Sequence, residues 1–180
     1  CRHLHLPLQA GSDAVLKAMN RHYTVAEYEA LIARLRSRID GLTVSTDLIL
    51  GFPGETEALF EETMETLKRL NFSHIHAFPY SPRKGTPAAT MSGQIDTAEK
   101  KRRVELVNEL SARQKAALLE SLVGTKASVL IETQEGTEGE GFTGNYERVA
   151  VSGLPEGAQR TVVSVALVGT DGKKLLAEAL

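Results

Sequence analysis

Three short runs within the first 80 residues divide their side chains in the same way, and each belongs to a strand-then-helix pattern. Leu4, Leu6 and Leu8 fall on one face of the first run, with His3, His5 and Gln9 on the other. In the second, Thr43 to Leu50, Val44, Thr46, Leu48 and Leu50 oppose Thr43, Ser45, Asp47 and Ile49. In the third, His74 to Tyr80, Ile75 and Ala77 oppose His74, His76, Phe78 and Tyr80. Alternating strands and helices imply parallel βα units. A parallel sheet covered on both sides is normally apolar on both faces, because an unpaired polar group buried there costs about 1–3 kcal/mol. A persistently polar face therefore predicts a barrel-like sheet: helices cover the outside, a wet or ligand-filled lumen receives the polar face, and working residues gather at the carboxyl ends of the strands. Three units do not close a barrel, so an open strand edge and marginal solubility are expected of this piece alone.

The helices between the runs carry their own signals. Ser12 and Asp13 offer caps for a short helix reaching Met19. Thr24 with Glu27 forms a capping box ahead of a stripe of Tyr28, Leu31, Ile32 and Leu35, which Gly41 ends. A further helix begins near Glu57, with Phe60, Met64 and Leu67 inward. From Asp96 a long helix runs toward Gly124, with Glu99 as capping partner and Val104, Val107, Leu110, Ala117 and Leu118 at helical spacing. Beyond Leu122 the pattern changes to short strands, Lys126 to Thr133, Arg148 to Val151, Thr161 to Val168 and Lys174 to Leu180. Glycine-rich turns separate them, which predicts a small antiparallel barrel. The expected domains are residues 1–121 and 122–180.

Three motifs carry a family resemblance: His3-Leu4-His5-Leu6-Pro7-Leu8-Gln9-Ala10-Gly11-Ser12-Asp13, Thr46 to Thr56 (TDLILGFPGET) and Phe78 to Ala88 (FPYSPRKGTPA). Together they resemble the radical S-adenosylmethionine (SAM) methylthiotransferases. The opening Cys1-Arg2-His3-Leu4-His5 and the late Gly141-Phe142-Thr143-Gly144-Asn145-Tyr146 resemble the branch that thiolates threonylcarbamoyladenosine in transfer RNA. The resemblance implies an α/β fold: the C-terminal part of a partial (β/α) radical SAM barrel, then a TRAM-like antiparallel β-domain associated with RNA. It also implies a [4Fe–4S] cluster that cleaves SAM to a radical, which removes hydrogen from C2 of the modified adenosine before sulfur and methyl are delivered. Such clusters are usually held by about four cysteines. This chain has one, Cys1, so the cluster ligands are expected in a missing N-terminal half, and the piece alone is expected to be inactive. An opening without methionine, directly on a strand, agrees with truncation.

Residue by residue, Gly51 and Gly54 let the backbone approach a flat ligand while Ile49 supplies an apolar surface for an adenine ring. By resemblance, Asp47, Ile49 and Gly51 belong to the strand and turn that cradle SAM. Leu50 stands where valine is commoner in the family, and Ala10 where serine is. Gln9 and Ser12 follow the first strand, where an amide and a hydroxyl suit ribose hydroxyls or the amino acid end of SAM. Helix capping is the competing role for Ser12 and Asp13. Tyr80, Ser81 and Arg83 open a loop stiffened by Pro82 and Pro87, in which a guanidinium clamps a carboxylate or phosphate. In the tail, Lys126, Tyr146 and Arg148 form the expected RNA patch, with Tyr146 stacking on a base or, alternatively, serving the core. Against RNA binding, five Lys or Arg face eight Asp or Glu beyond Leu122. The densest basic run, Lys100-Lys101-Arg102-Arg103, reads as a solvated helix face. No residue stands out as a general acid or base.

Two other functions compete with this reading. The pairs His3/His5 and His74/His76 have a spacing that presents both rings of a pair to one metal, which suits a metal-dependent barrel hydrolase with Asp47 as the one carboxylate at hand. A non-enzymatic RNA-binding module is the second. A net charge of −2, no apolar run long enough to span a bilayer and no signal-like segment point to a soluble cytoplasmic protein without a membrane partner; tRNA as its partner is what the resemblance implies.

Overall fold

The computed structural model describes residues 1–180, in a mixed α/β order: β1 (His3–His5), α1 (Asp13–Ala18), α2 (Val25–Arg38), β2 (Thr43–Leu50), α3 (Glu57–Leu70), β3 (His74–Pro79), α4 (Thr97–Leu122), β4 (Lys126–Glu135), β5 (Glu138–Thr143), β6 (Arg148–Ser152), β7 (Val162–Thr170) and β8 (Leu175–Ala179). Two compact units divide it. One comprises His5–Ile39 and Val44–Ser111; the other comprises Ala112–Leu180 with Cys1–Leu4 and Asp40–Thr43. No helix is long and apolar enough to cross a membrane.

The first unit is built on a three-stranded sheet of order β1-β2-β3, in which β2 and β3 run parallel and Gln9 bridges Leu48 in parallel register. Of the apolar half of these runs, Leu8, Val44, Leu48, Leu50 and Ile75 are all at most 1% exposed, while Leu4, Leu6 and Ala77 are partly buried; Thr43 and Ser45 from the polar half are buried as well. Thr46, on the apolar face, is also fully buried, and its hydroxyl accepts the Leu8 N–H, so the hydroxyl is satisfied where it lies. The expected capping box at Thr24 and Glu27 is present on α2. At α1 the outcome differs. Ser12 occupies the N-cap without a side-chain cap bond, and Asp13 reaches forward to accept the Val25 N–H, so it braces the start of α2. On α3 the buried stripe is Phe60, Thr63, Thr66, Leu67 and Leu70, with Met64 only partly buried. Two threonines lie inward because Gly11 approaches so closely that a Cβ there would sit 2.9 Å from the Thr63 Cα.

The second unit is a closed five-stranded barrel of order β4-β5-β6-β8-β7, antiparallel throughout except between β6 and β8. Its core includes Val129, Ile131, Val149, Val151, Val165, Leu167, Leu175 and Leu119 from α4. On α4 the expected Val107 and Leu110 are buried, but toward the barrel the inward residue is Leu119; Ala117 is exposed, and Val104 and Leu118 are only partly buried. Strand β5 was not among the expected strands. Its glycines read as turn residues, but they are a packing requirement: a Cβ on Gly141 would lie 2.0 Å from the Leu130 carbonyl oxygen, and one on Gly139 would lie 2.5 Å from that of Thr133. Register shifts at Ile131/Thr133 and Leu167/Gly169 bend β4 and β7 at the corners of the ring.

Candidate functional site

The polar face of the sheet forms three successive rungs set by the β2–β3 register: Ser45 beside His74, Asp47 beside His76, and Ile49 beside Phe78. Neighbouring strands lie about 4.8 Å apart, so side chains on one rung and one face are in reach of each other. From β1, His5 joins the middle rung. Its Nδ1 lies 2.9 Å from the Ser45 hydroxyl and its Nε2 3.3 Å from Asp47 Oδ2. His76 packs edge-on against His5 at 5.8 Å and against His74 at 4.3 Å between ring centroids. One ligand atom each from His5, Asp47 and His76 lie within 4.8 Å of one another. The grouping takes one histidine from each His-x-His pair, correcting the expectation that each pair acts together; in the other unit, His3 Nδ1 lies 2.9 Å from the Thr43 hydroxyl. The next rung is apolar, with Ile49 partly buried and Phe78 51% exposed.

At the carboxyl end, Gln9 adopts φ 68°. A left-handed conformation costs a non-glycine residue about 1–2 kcal/mol. It is held there by two backbone bonds to β2, Gln9 N–H to Asp47 O and Ile49 N–H to Gln9 O, both 2.9 Å. Gly51 turns the chain out of β2 at φ 73°, and its N–H donates to Glu55 Oε2 at 2.5 Å. Glu55 is buried and ion-paired to buried Arg103, which also donates to the Glu55 carbonyl at 2.8 Å and to Glu99 at 2.7 Å. Burial pushes the Glu55 carboxyl up from its ordinary value, against the Gly51 N–H and the Arg103 guanidinium, which pull it down. Its Oε1 has no hydrogen-bond partner. Lys100 donates to the Tyr80 carbonyl at 3.1 Å, and the Tyr80 ring rests edge-on against Phe52 at 5.1 Å. Lys100 and Arg103 therefore brace the turn from behind, where a solvated face was expected. Sequence reasoning passed over Glu55, Lys100 and Arg103 as site-shaping residues; the i, i+3 spacing of the two cations was the available signal.

Of the other expected residues in this unit, Ser12 is fully buried and its hydroxyl donates to Glu62, which withdraws it from the polar face. Ser81 and Arg83 are exposed on the loop after β3. The Arg83 carbonyl accepts both the N–H and the hydroxyl of Thr86, which folds the loop back on itself.

In the barrel unit the three residues of the expected patch each have their own surroundings. Lys126 lines a 570 Å³ cleft with Arg2, Ser128, Thr143, Asn145 and Ser164. Arg148 is paired to Glu140 at 2.9 Å, and Lys174 reaches the same carboxylate at 2.5 Å. Tyr146, at φ 65° and 62% exposed, stacks on Phe142 at 4.9 Å and touches His3 at 5.2 Å. The adjoining Glu147 is buried and paired to Lys115; burial pushes its carboxyl up while Lys115 pulls it down.

A family profile described as the radical SAM superfamily matches residues 1–67. A tRNA-2-methylthio-N(6)-dimethylallyladenosine synthase of Moorella thermoacetica is 47% identical over 144 residues, covering 80% of this chain and 32% of that protein. A protein of the same name from Chromobacterium violaceum is 41% identical over 181 residues, covering 99% of this chain and 40% of its own length. The chain belongs to the radical SAM methylthiotransferases. It spans roughly a third of the length of these curated relatives. Both relatives, like that of Maricaulis maris at 46% identity over 130 residues (72% of this chain, 28% of that protein), are named for dimethylallyladenosine, not threonylcarbamoyladenosine. The expected threonylcarbamoyl branch is therefore not supported: the opening pentapeptide and the Gly141–Tyr146 segment were too short to fix it. The radical SAM family uses SAM and [4Fe–4S] clusters. The one cysteine of this chain, Cys1, is exposed and supplies at most one of the roughly four thiolates that such a cluster usually takes.

Proposed function

We propose that this chain serves a tRNA methylthiotransferase acting at C2 of an N6-dimethylallyl-modified adenosine, and that its polar sheet face holds the adenosine part of SAM. The observation that carries the reading is the sequence of rungs, polar at His5, Asp47 and His76 and apolar at Ile49 and Phe78, ending at the Gly51 turn. An adenine ring suits the Ile49–Phe78 rung, and ribose hydroxyls suit the Gln9 amide and Asp47 beside it. Tyr80, Ser81 and Arg83 stand where the next loop would meet the amino acid end, and Arg83 can take its carboxylate by paired bonds. The three strands are read as part of a larger (β/α) barrel in residues 1–121, and residues 122–180 as a TRAM-like RNA-binding domain of a cytoplasmic enzyme. Arg2 and Lys126 in the barrel cleft, with exposed Tyr146, offer two cations and a stacking ring to RNA. SAM bound at a reduced cluster supplies the radical chemistry; the part taken by this chain's residues is to bind and orient.

The test uses the longer enzyme that carries this chain, with its cluster reconstituted under anaerobic conditions. Arg83→Ala is expected to weaken SAM binding about tenfold or more, since hydrogen bonds to charged groups contribute about 1.5–3 kcal/mol, and Gln9→Ala about two- to tenfold, since neutral ones contribute about 0.5–1.5 kcal/mol. Lys126→Ala should lower tRNA affinity and reduce its salt slope by about one. Unchanged SAM affinity in both of the first variants would remove the assignment of this wall.

A further inference from the structure

The middle rung brings together two imidazoles and a carboxylate, a donor set that neither the apolar rung nor the Gly51 turn shares. We propose that His5, Asp47 and His76 bind a divalent first-row metal ion of the zinc class, distinct from any iron–sulfur cluster, with one coordination position open to solvent.

Three observations support this beyond composition. First, each ligand comes from a different strand of one sheet, so the backbone, not a mobile loop, fixes their spacing. Second, His5 Nε2 and Asp47 Oδ2 are 3.3 Å apart. Two ligands on a tetrahedral zinc with bonds of about 2.0–2.1 Å are separated by about 3.3 Å, so this pair already has the bite of a bound ion. His76, exposed and the direct register partner of Asp47, has a ring nitrogen within 4.8 Å of both. Third, His5 Nδ1 is held by the Ser45 hydroxyl at 2.9 Å, which orients the ring and leaves Nε2 for the metal. Metal-ligating histidines commonly have their second nitrogen anchored in this way. Two nitrogens and one carboxylate oxygen suit zinc or another borderline divalent ion better than magnesium or calcium, which take mainly oxygen. Three protein ligands leave a fourth position for water or a ligand heteroatom, as in open zinc sites. Asp47 would serve the ion through Oδ2, leaving Oδ1 to face a nucleoside, so the inference does not rest on the proposed function.

The experiment is a titration of the metal-free 180-residue chain with Zn²⁺, read by bound metal per chain, and with Co²⁺, read by its visible ligand-field spectrum. One ion per chain is expected, with a spectrum of the intense tetrahedral type. His5→Ala, Asp47→Asn and His76→Ala should each weaken binding by about tenfold or more, the scale on which even outer-shell metal contacts act, while His74→Ala leaves it close to the parent. Far-UV circular dichroism checks that each variant folds. Should any fail to fold, imidazole ¹⁵N shifts of the parent chain decide instead: zinc should move His5 and His76 and leave His22 in place. Absence of stoichiometric binding, parent-like affinity in folded His5→Ala and His76→Ala, or zinc-induced shifts confined to other histidines would each overturn the site. SAM binding by the longer enzyme is measured without added zinc, so either proposal can fail while the other stands.

Discussion

Replacing Gly51 by alanine tests the tightest feature behind the site. Gly51 sits at φ +73°, and a Cβ there would lie 2.3 Å from Lys100 Cγ, 3.0 Å from its Cδ and 3.3 Å from its Cβ. The left-handed backbone alone costs an alanine about 1–2 kcal/mol. The overlap adds about 1–3 kcal/mol, typical of an overpacked core, because the nearest atoms belong to the root of the Lys100 side chain and not to its free end. Gly54 supplies the control: its φ is +85° with nothing within 4 Å of a Cβ, so Gly54→Ala should cost the backbone term only. At about 2–4 °C per kcal/mol for a chain of this size, Gly51→Ala should melt roughly 2–12 °C below Gly54→Ala. Thermal unfolding followed by circular dichroism reads the difference. A double-mutant cycle with Lys100→Ala then assigns it: in that background the Gly51→Ala cost should shrink to the Gly54→Ala value. Equal melting of the two glycine variants, or a Gly51→Ala cost unchanged by Lys100→Ala, would refute the claim that α4 braces the turn through this contact.

In the barrel, Gly141→Ala places a Cβ 2.0 Å from the Leu130 carbonyl oxygen, a backbone atom that no rotamer change moves. Amide hydrogen exchange along β4 and β5 should accelerate sharply, while Gly144→Ala, with open space around it, stays near the parent. For Glu55, a carboxyl raised by burial above its ordinary 4.5 holds its proton more tightly in the folded state than in the unfolded one. Its contribution to stability is therefore complete below that value and is lost as pH rises through the folded value. Glu55→Gln should flatten the fall in urea midpoint that begins near pH 4.5, measured as the difference from the parent because Glu147 titrates in the same direction. A parent and variant with parallel pH profiles would count against it.

Much of the first unit was legible because its signals are local and periodic. Thr24 and Glu27 announce α2 three residues apart, and the alternation in Thr43–Leu50 tells which side of β2 carries Val44, Thr46, Leu48 and Leu50 inward, although Thr43 and Ser45 on the other side are buried too. The polar face followed from the same period of two, which is why His5, Asp47 and His76 meet. What escaped depends on contacts between distant residues. Charge patterning gives Lys100 and Arg103 to solvent, but Glu55, 48 positions from Arg103, draws that guanidinium inward. Ser12 carries the right hydroxyl at the right end of the sheet, yet Glu62 from α3 claims it. Strand β5 was missed because the close approach of β4 demands glycine at the positions where propensity rules expect a turn. Arg148 shares the Glu140 carboxylate with Lys174, an ion pair across strands that its position in the sequence does not announce.

The parallel pairing of β8 with β6, beside its antiparallel pairing with β7, means that one strand seals two seams of the ring. During synthesis, β4 to β7 can emerge and associate only as an open sheet with β6 and β7 both unsatisfied. The cylinder snaps shut only after Ala179 has cleared the ribosome, so its assembly is timed by translation of the last strand rather than by the first hairpin.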